Sequence, residues 1–265
     1  GREIISNIKR SWVRQWIDIH DGELIMVGVK LRESAQILNK PLRDLFDPAT
    51  PCHVVAVKRE DETLIPHGND SLQLGDIAFF MTTPEYVNYI RDITGKEKYP
   101  DVKTIFFMGG SSTAVHALWN MPDYMHAKVF EPNPKRCERL NELLAGQNNV
   151  LVINGDGTDP NLLMDEGIHK AEAFAALTES SEQNILACLS ARRLGIKKTV
   201  AMVENSDYIK VAENLDIGFI INKKTFAASH IYQMMLKADI TTMKNLLVAN
   251  ADVAEFSVSA EAKIT

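Results

Sequence analysis

Cysteine is scarce in this chain. Cys52, Cys137 and Cys188 are the only three in 265 residues, too few and too far apart for a disulfide framework or a zinc site, and they predict reduced thiols in a cytoplasmic protein. Long blocks of Lys or Arg are also missing. With a net charge of −6, nucleic acid or an anionic membrane is a poor match as principal partner. No apolar run approaches the ~20 residues that cross a bilayer. The seven histidines are scattered without metal-ligand spacing, and no nucleophile elbow interrupts a strand. What the chain does have is 45% apolar residues and 24% charged ones, enough to bury a proper core in one large or two modest domains.

The most informative stretch runs from Lys103 to Glu131. Thr104 to Met108 is a short apolar run suited to a strand buried on both faces. Gly109-Gly110 breaks it, helix-compatible spacing resumes over Ser111 to Trp119, and a second apolar strand over Lys128 to Phe130 ends on Glu131. Strand, Gly turn, helix, strand and an acid about 20 residues beyond the turn make the layout of a dinucleotide-binding βαβ unit. A helix N-terminus there offers unpaired N–H groups to phosphate, and the acid can accept from ribose hydroxyls. The G-x-G-x-x-G fingerprint is altered: Gly109, Ser111 and Ala114 hold its three positions. Ser111 places a side chain where the backbone approaches a pyrophosphate.

Strand and helix patterns alternate onward: Pro134–Leu144 helix, Val150–Ile153 strand, Pro160–Glu166 helix, Ala173–Leu177 strand, Glu182–Leu194 helix, Thr199–Val203 strand, Asp207–Leu215 helix and Phe219–Ile221 strand. This order predicts a parallel sheet covered on both faces. The fold class expected is α/β, a doubly wound Rossmann domain over 103–224. A small α+β domain over 17–93 precedes it, with 94–102 as linker. Within 17–93, Asp21-Gly22 signals a hairpin turn, and Ala35 to Leu45 has a helical pattern. Residues 1–16 read as the end of an amphipathic helix carrying Ile4, Ile5, Ile8, Trp12 and Trp16. At the other end come an apolar helix over Thr225–Leu236, a connection to 250, and a strand over Val253–Val258 within 251–265. Helix followed by strands thus occurs at both ends. The chain is expected to hold the tail of one repeat, a whole β-rich domain, a whole Rossmann domain and the truncated start of a second β-rich domain. A Gly at position 1 and a helix pattern beginning at once fit a piece cut from something longer.

Asn154-Gly155-Asp156-Gly157-Thr158-Asp159, followed by Ala176-Leu177-Thr178-Glu179-Ser180-Ser181-Glu182-Gln183-Asn184, resembles the G-D-A-T-D and A-V-T-x-x-D-E-x-N motifs of the RCK (regulator of potassium conductance, or KTN) family. Within it, the chain is most similar to the Trk-type potassium-uptake regulatory subunits with two tandem repeats. Leu64 to Gly68 with Leu74-Gly75-Asp76 resembles the family's C-terminal ligand-binding subdomain. The likeness spans nearly the whole chain, with Ser111 in place of Gly and Ser181 in place of the usual acid as departures. It implies a non-enzymatic cytoplasmic gating subunit, peripheral to the inner face of the membrane. Such a subunit assembles with itself as dimers or rings beneath a potassium-translocating membrane protein and binds NAD(H), ATP or ADP. Carried over, Gly109 and Gly110 form the turn, with Gly109, Ser111 and Thr113 facing phosphate. Glu131 would face the ribose and Asp156 the adenine end, while Thr178 and Glu179 line the crevice. Nucleic acid is not among the implied partners, and no residue is assigned to catalysis or metal.

Plainer readings stand beside these. Glu131 could be a solvated strand-end carboxylate. Asp156 could cap the helix beginning near Pro160 or hold the Gly155–Gly157 turn, and Thr178 and Ser180 could cap the helix at Glu182. The helix Thr225–Leu236, a candidate lever for gating, could equally be a core helix. An NAD-dependent oxidoreductase would share the fold. Its Tyr-x-x-x-Lys pairs, Tyr99 with Lys103 and Tyr124 with Lys128, lie on strand-like paths where the side chains cannot stack one turn apart. A nucleotide-free scaffold is the third possibility.

Overall fold

A computed structural model describes residues 1–46, 49–235, 240–246 and 251–256. In chain order the elements begin with α1 (Arg2–Ile8), β1 (Gln15–Ile19), β2 (Leu24–Lys30), β3 (Cys52–Arg59), β4 (Glu62–Leu64), β5 (Ile77–Thr82) and α2 (Val87–Ile93). There follow β6 (Thr104–Met108), α3 (Ser112–Leu118), β7 (His126–Glu131), α4 (Pro134–Leu143), β8 (Val150–Asn154) and α5 (Pro160–Asp165). The remainder are β9 (Ala173–Ala176), α6 (Ser181–Arg193), β10 (Lys198–Met202), α7 (Ser206–Asn214), β11 (Phe219–Ile221), α8 (Lys223–Met235), β12 (Ile240–Leu246) and β13 (Ala251–Phe256). They fall into two compact units, Gly1–Trp12 with Lys98–Asn222, and Val13–Glu97 with Lys223–Thr265.

The first unit is a doubly wound Rossmann domain. Its six strands are parallel in the order β11-β10-β9-β6-β7-β8. β6 and β9 lie at the centre, and Phe106, Phe107, Phe130 and Phe174 are wholly buried around them, as strands covered on both faces require. β9 is built of Ala173-Phe174-Ala175-Ala176, all buried, so helices can approach it closely. Each crossover helix begins on a side chain that satisfies its first N–H groups: Asn133 for α4, Asp159 for α5, Ser180 for α6 and Asn205 for α7. α1 touches α3 within this unit. The helix expected over 1–16 is shorter. It stops at Ile8, and Trp16 already lies in a strand, although Ile4, Ile5, Ile8, Trp12 and Trp16 are all buried.

The second unit holds an antiparallel sheet in the order β1-β2-β5-β3-β4. Asp21 (φ +51°) and Gly22 (φ +92°) make the β1–β2 turn, where the sequence signal lay. The buried carboxylate of Asp76 accepts from Arg59 Nε (3.0 Å), Arg59 Nη2 (2.8 Å) and the Gln73 N–H (2.8 Å), pinning the Leu74-Gly75-Asp76 turn to β3. No α-helix forms over Ala35–Leu45. Asn39 adopts a left-handed φ of +59° ahead of Pro41, which cannot donate to a helical ladder, and only a 3-10 turn at Leu42–Asp44 remains.

β12 and β13 form a separate antiparallel hairpin whose apolar residues join a core with one face of the five-stranded sheet. β12 was not legible in the sequence, because Thr241, Thr242, Lys244 and Asn245 break the strand alternation. The strand expected near 253–258 is β13; 257–265 and Leu236 lie outside the described residues.

Candidate functional site

Strand order fixes where a ligand could sit. β6 is hydrogen-bonded to β7 on one side and β9 on the other, so the connections leaving β6 and β9 diverge to opposite halves of the sheet. At such a reversal a crevice opens beyond the carboxyl ends of the strands. Gly109 follows β6 with φ +93°, and its N–H donates to the Phe130 carbonyl at 2.9 Å. A Cβ on Gly109 would sit 2.9 Å from Thr178 Cγ2, so the loops after β6 and β9 touch here. On Gly110 it would come within 2.2 Å of Leu140 Cδ1 in α4. Conformation therefore requires glycine at 109, and packing against Leu140 favours it at 110. Ser111 has ordinary extended backbone (φ −67°, ψ 163°) and caps α3, its Oγ accepting from the Ala114 N–H at 3.4 Å. Thr113 lies half-buried in the first turn of α3.

Glu131 is not a solvated strand-end acid. It is 3% exposed, with Oε2 accepting from the Gly110 N–H and Oε1 from the Asn133 N–H, each at 3.1 Å. The carboxylate thus ties the Gly turn to the start of α4. Two of a carboxylate's roughly four lone-pair sites are used, which leaves acceptor capacity for hydroxyl donors. Next to it, Cys137 Sγ donates to the Glu131 carbonyl at 3.1 Å, and burial pushes that thiol's pKa up.

Asp156 is exposed, and its Oδ1 accepts from the Thr158 N–H (2.8 Å) and Oγ1 (2.7 Å). It holds the turn, while the cap of α5 falls to Asp159, whose Oδ1 accepts from the Asn161 N–H at 2.9 Å. A Cβ on Gly157 would meet Met108 Cγ at 2.6 Å and Phe130 Cβ at 3.2 Å, so this loop lies across the ends of β6 and β7. Gly109, Gly110, Glu131 and the Asp156 loop are therefore gathered at one edge.

Thr178 has a structural duty. Its N–H and Oγ1 donate to Asn184 Oδ1 at 3.1 and 2.7 Å, and Asn184 Nδ2 donates to the carbonyls of Thr178 (2.9 Å) and Met202 (2.8 Å). Asn184 is fully buried and ties the ends of β9 and β10 to α6. Ser180 caps α6, while Ser181 Oγ accepts from the Glu204 and Asn205 N–H groups at 3.0 and 3.4 Å. Glu179 is exposed between β9 and α6. Sequence reasoning missed the roles of Ser181 and Asn184. The signal was present: Ser181, Asn184, Ile185, Cys188 and Ala191 share one buried helical face, and a polar residue on such a face must be bonded.

The groups gathered at this edge are hydrogen-bond donors and acceptors. Burial raises the thiols of Cys52 and Cys188 to about 12, so neither is a thiolate nucleophile near neutral pH. Lys128 Nζ is spoken for by the Glu166 carboxylate (2.6 Å) and carbonyl (2.8 Å). Among the described residues no group of His, Cys, Asp and Glu could hold a metal, and no helix is long and apolar enough to cross a membrane. In the other unit, a cavity of about 350 Å³ lies under Leu64–Pro66 against Leu42, Val57 and Arg59.

Known proteins give a consistent picture. Residues 105–223 match the TrkA-N domain and residues 26–95 the TrkA-C domain, together well over half of the chain. The chain is 28% identical over 246 residues to Trk system potassium uptake protein trkA homolog 1 of Methanosarcina mazei, covering 92% of this chain and 59% of that one. It is 27% identical over 260 residues to TrkA of Azorhizobium caulinodans, covering 96% and 56%. The chain thus spans little more than half the length of these curated relatives. Among solved structures, the GsuK RCK domain superposes with a TM-score of 0.59 at 16% identity, covering 92% of this chain and 55% of that one. A GsuK channel bound to NAD gives 0.58 at 16%, covering 88% and 42%. At that identity the likeness speaks for the fold. With both domains matched in the order TrkA-C then TrkA-N, the chain belongs to the RCK family of TrkA-type proteins.

Proposed function

We propose that this chain is the nucleotide-sensing part of a regulatory subunit in a potassium uptake system, and that it works by binding rather than catalysis. The observation that carries this is the meeting of Gly109 and Thr178 at the strand-order reversal, with Glu131 bonded to Gly110 beside it. The ligand class is an adenine nucleotide, NAD(H) or ATP/ADP. Gly109, Gly110, Ser111 and Thr113 would hold its phosphates, Glu131 would accept from ribose hydroxyls, and Asp156 would flank the adenine end. Thr178 and Glu179 would line the opposite wall. The NAD found with the GsuK channel, a protein of like fold, supports the nicotinamide form as a candidate.

Sensing follows from differential affinity. A nucleotide that prefers one conformation tenfold supplies about 1.4 kcal/mol per site, and several sites in a dimer or ring add. The receiver is a potassium-translocating membrane protein, with this subunit on its cytoplasmic face. A nucleotide-free scaffold is the second reading, favoured by one observation: the Glu131 carboxylate already occupies the Gly110 N–H.

Thermal melting with NADH, ADP and ATP separates the two. A nucleotide at 100 times its Kd stabilises by about 2.7 kcal/mol. A raised melting temperature that vanishes in Ser111→Trp supports the sensor. No shift at millimolar concentrations favours the scaffold, and hydride transfer from NADH to a small carbonyl would revive an oxidoreductase.

A further inference from the structure

β8 ends the parallel sheet, with β7 on one side and no strand on the other among the described residues. Two hydrogen bonds fix which of its main-chain groups face inward. The Ala127 N–H donates to the Asn149 carbonyl at 2.9 Å, and the Gly155 N–H donates to the Glu131 carbonyl at 3.1 Å. Such bonds recur at every second residue of a parallel ladder, so Leu151 and Ile153 also bond β7. The N–H and C=O of Val152, the N–H of Asn154 and the C=O of Val150 therefore point away from the sheet. The Val150 N–H turns back onto the Gln147 carbonyl at 3.3 Å.

An open edge of this kind is ordinarily blunted by charge, proline or a bulge. None of these is present on β8. Residues 144–155 (LAGQNNVLVING) hold no ionisable side chain and no proline, and β7 and β8 pair without a break in register. Leu151 is 53% exposed, whereas Ile153, on the same face, packs against the core.

The strand is also self-complementary. An antiparallel copy placed about a two-fold axis at Val152 sets Val152 against its own equivalent, a pair that exchanges both main-chain hydrogen bonds. Leu151 then lies opposite Ile153 of the other copy, in the closer, non-hydrogen-bonded kind of pair. The Asn154 N–H faces the Val150 carbonyl, and no like charges meet across the axis. We infer that β8 is an interface for a second copy of this chain, through which two parallel sheets join antiparallel into one. A second copy is favoured over a foreign strand because a single register satisfies main chain and side chains on both sides by symmetry. One short strand buries less than the ~1,200 Å² of a standard interface, so the pairing is weak and concentration-dependent. It does not rest on nucleotide binding.

Cysteine cross-linking of the whole chain tests it. The native thiols are all buried, so an introduced one reports alone. In Val152→Cys the paired Cα atoms would stand about 5.5 Å apart, within disulfide range. In Val150→Cys they would be offset by about 14 Å along the strands, out of range. Under mild oxidation Val152→Cys should form a covalent dimer about tenfold or more faster than Val150→Cys, and adding Leu151→Lys should slow it about tenfold by blunting the edge. In the unaltered chain, the Val152 amide should exchange more slowly as protein concentration rises, while the Leu151 amide, bonded to β7, stays protected throughout. No faster cross-linking at 152 than at 150, cross-linking indifferent to Leu151→Lys, or Val152 exchange independent of concentration would overturn the pairing.

Discussion

The Glu131 carboxylate accepts a hydrogen bond from the Gly110 N–H at 3.1 Å, across 21 residues of sequence. The acid at the end of β7 and the Gly turn after β6 are thereby locked together. The bond fixes the Gly turn, and a ribose hydroxyl would have to approach an acid that is already partly satisfied.

Replacing Glu131 therefore tests more than binding. Glu131→Ala leaves the Gly110 and Asn133 N–H groups without their acceptor, and a hydrogen bond to a charged group contributes about 1.5–3 kcal/mol. Chemical denaturation should show a lowered midpoint with an unchanged slope. An unaltered midpoint would mean that water replaces both bonds.

Asn184→Ala should be the more damaging change. It removes four hydrogen bonds from a fully buried side chain linking Thr178, Met202 and α6. Loss of a buried network of this kind ranks among the large single-site effects, of order 3 kcal/mol or more. Urea unfolding of the variant measures it, and a loss below that of an ordinary surface change would contradict the assigned role.

Gly110→Ala should destabilise by about 1–3 kcal/mol through overpacking, since its Cβ would meet Leu140 Cδ1 at 2.2 Å. The obstacle is the tip of a flexible side chain. A double-mutant cycle with Leu140→Ala should accordingly show the two losses to be less than additive. Strict additivity would mean that something other than Leu140 limits the turn.

The contact of His20, in the β1–β2 turn, with Glu255 of β13 (Nδ1 to Oε1, 3.1 Å) sets a pH dependence for the β12–β13 hairpin. A hydrogen bond to Glu255, then the charges of Glu23 and Glu255, raise the His20 pKa above 6.5, with Asp21 adding to the same effect. A raised folded pKa means that this contribution is complete below the unfolded value and fades as pH rises through the folded one. Exchange of the 240–246 and 251–256 amides, corrected for the intrinsic pH effect, should quicken from pH 6 to pH 8, and His20→Ala should abolish the trend.

Much of this was readable beforehand because Rossmann strands are continuous apolar runs with glycines at their ends. Thr104–Met108, Gly109 and the acid at Glu131 announced the central unit, and Asp21-Gly22 announced the first hairpin. What escaped reading depended on long-range partners. Asn184 looks like any polar helix residue until β10 brings the Met202 carbonyl to it. The pattern over 35–45 is helical in spacing, yet the left-handed Asn39 and Pro41 win locally. β12 carries Lys244 and Asn245, and its strand character comes from pairing with β13. Glu131 stood out only as the acid ending an apolar strand; its burial and its bond to Gly110 follow from how the β7–α4 loop closes, which no local pattern encodes.

The central claim is that a nucleotide enters the edge where the loops after β6 and β9 meet. Amide resonances of the whole chain, followed while NADH, ADP or ATP is added, test it most directly. Saturable shifts are expected at Gly109 to Thr113, Glu131, Asp156, Thr178 and Glu179, with the five-stranded sheet left quiet. Shifts confined to other residues, or none at millimolar nucleotide, would contradict it.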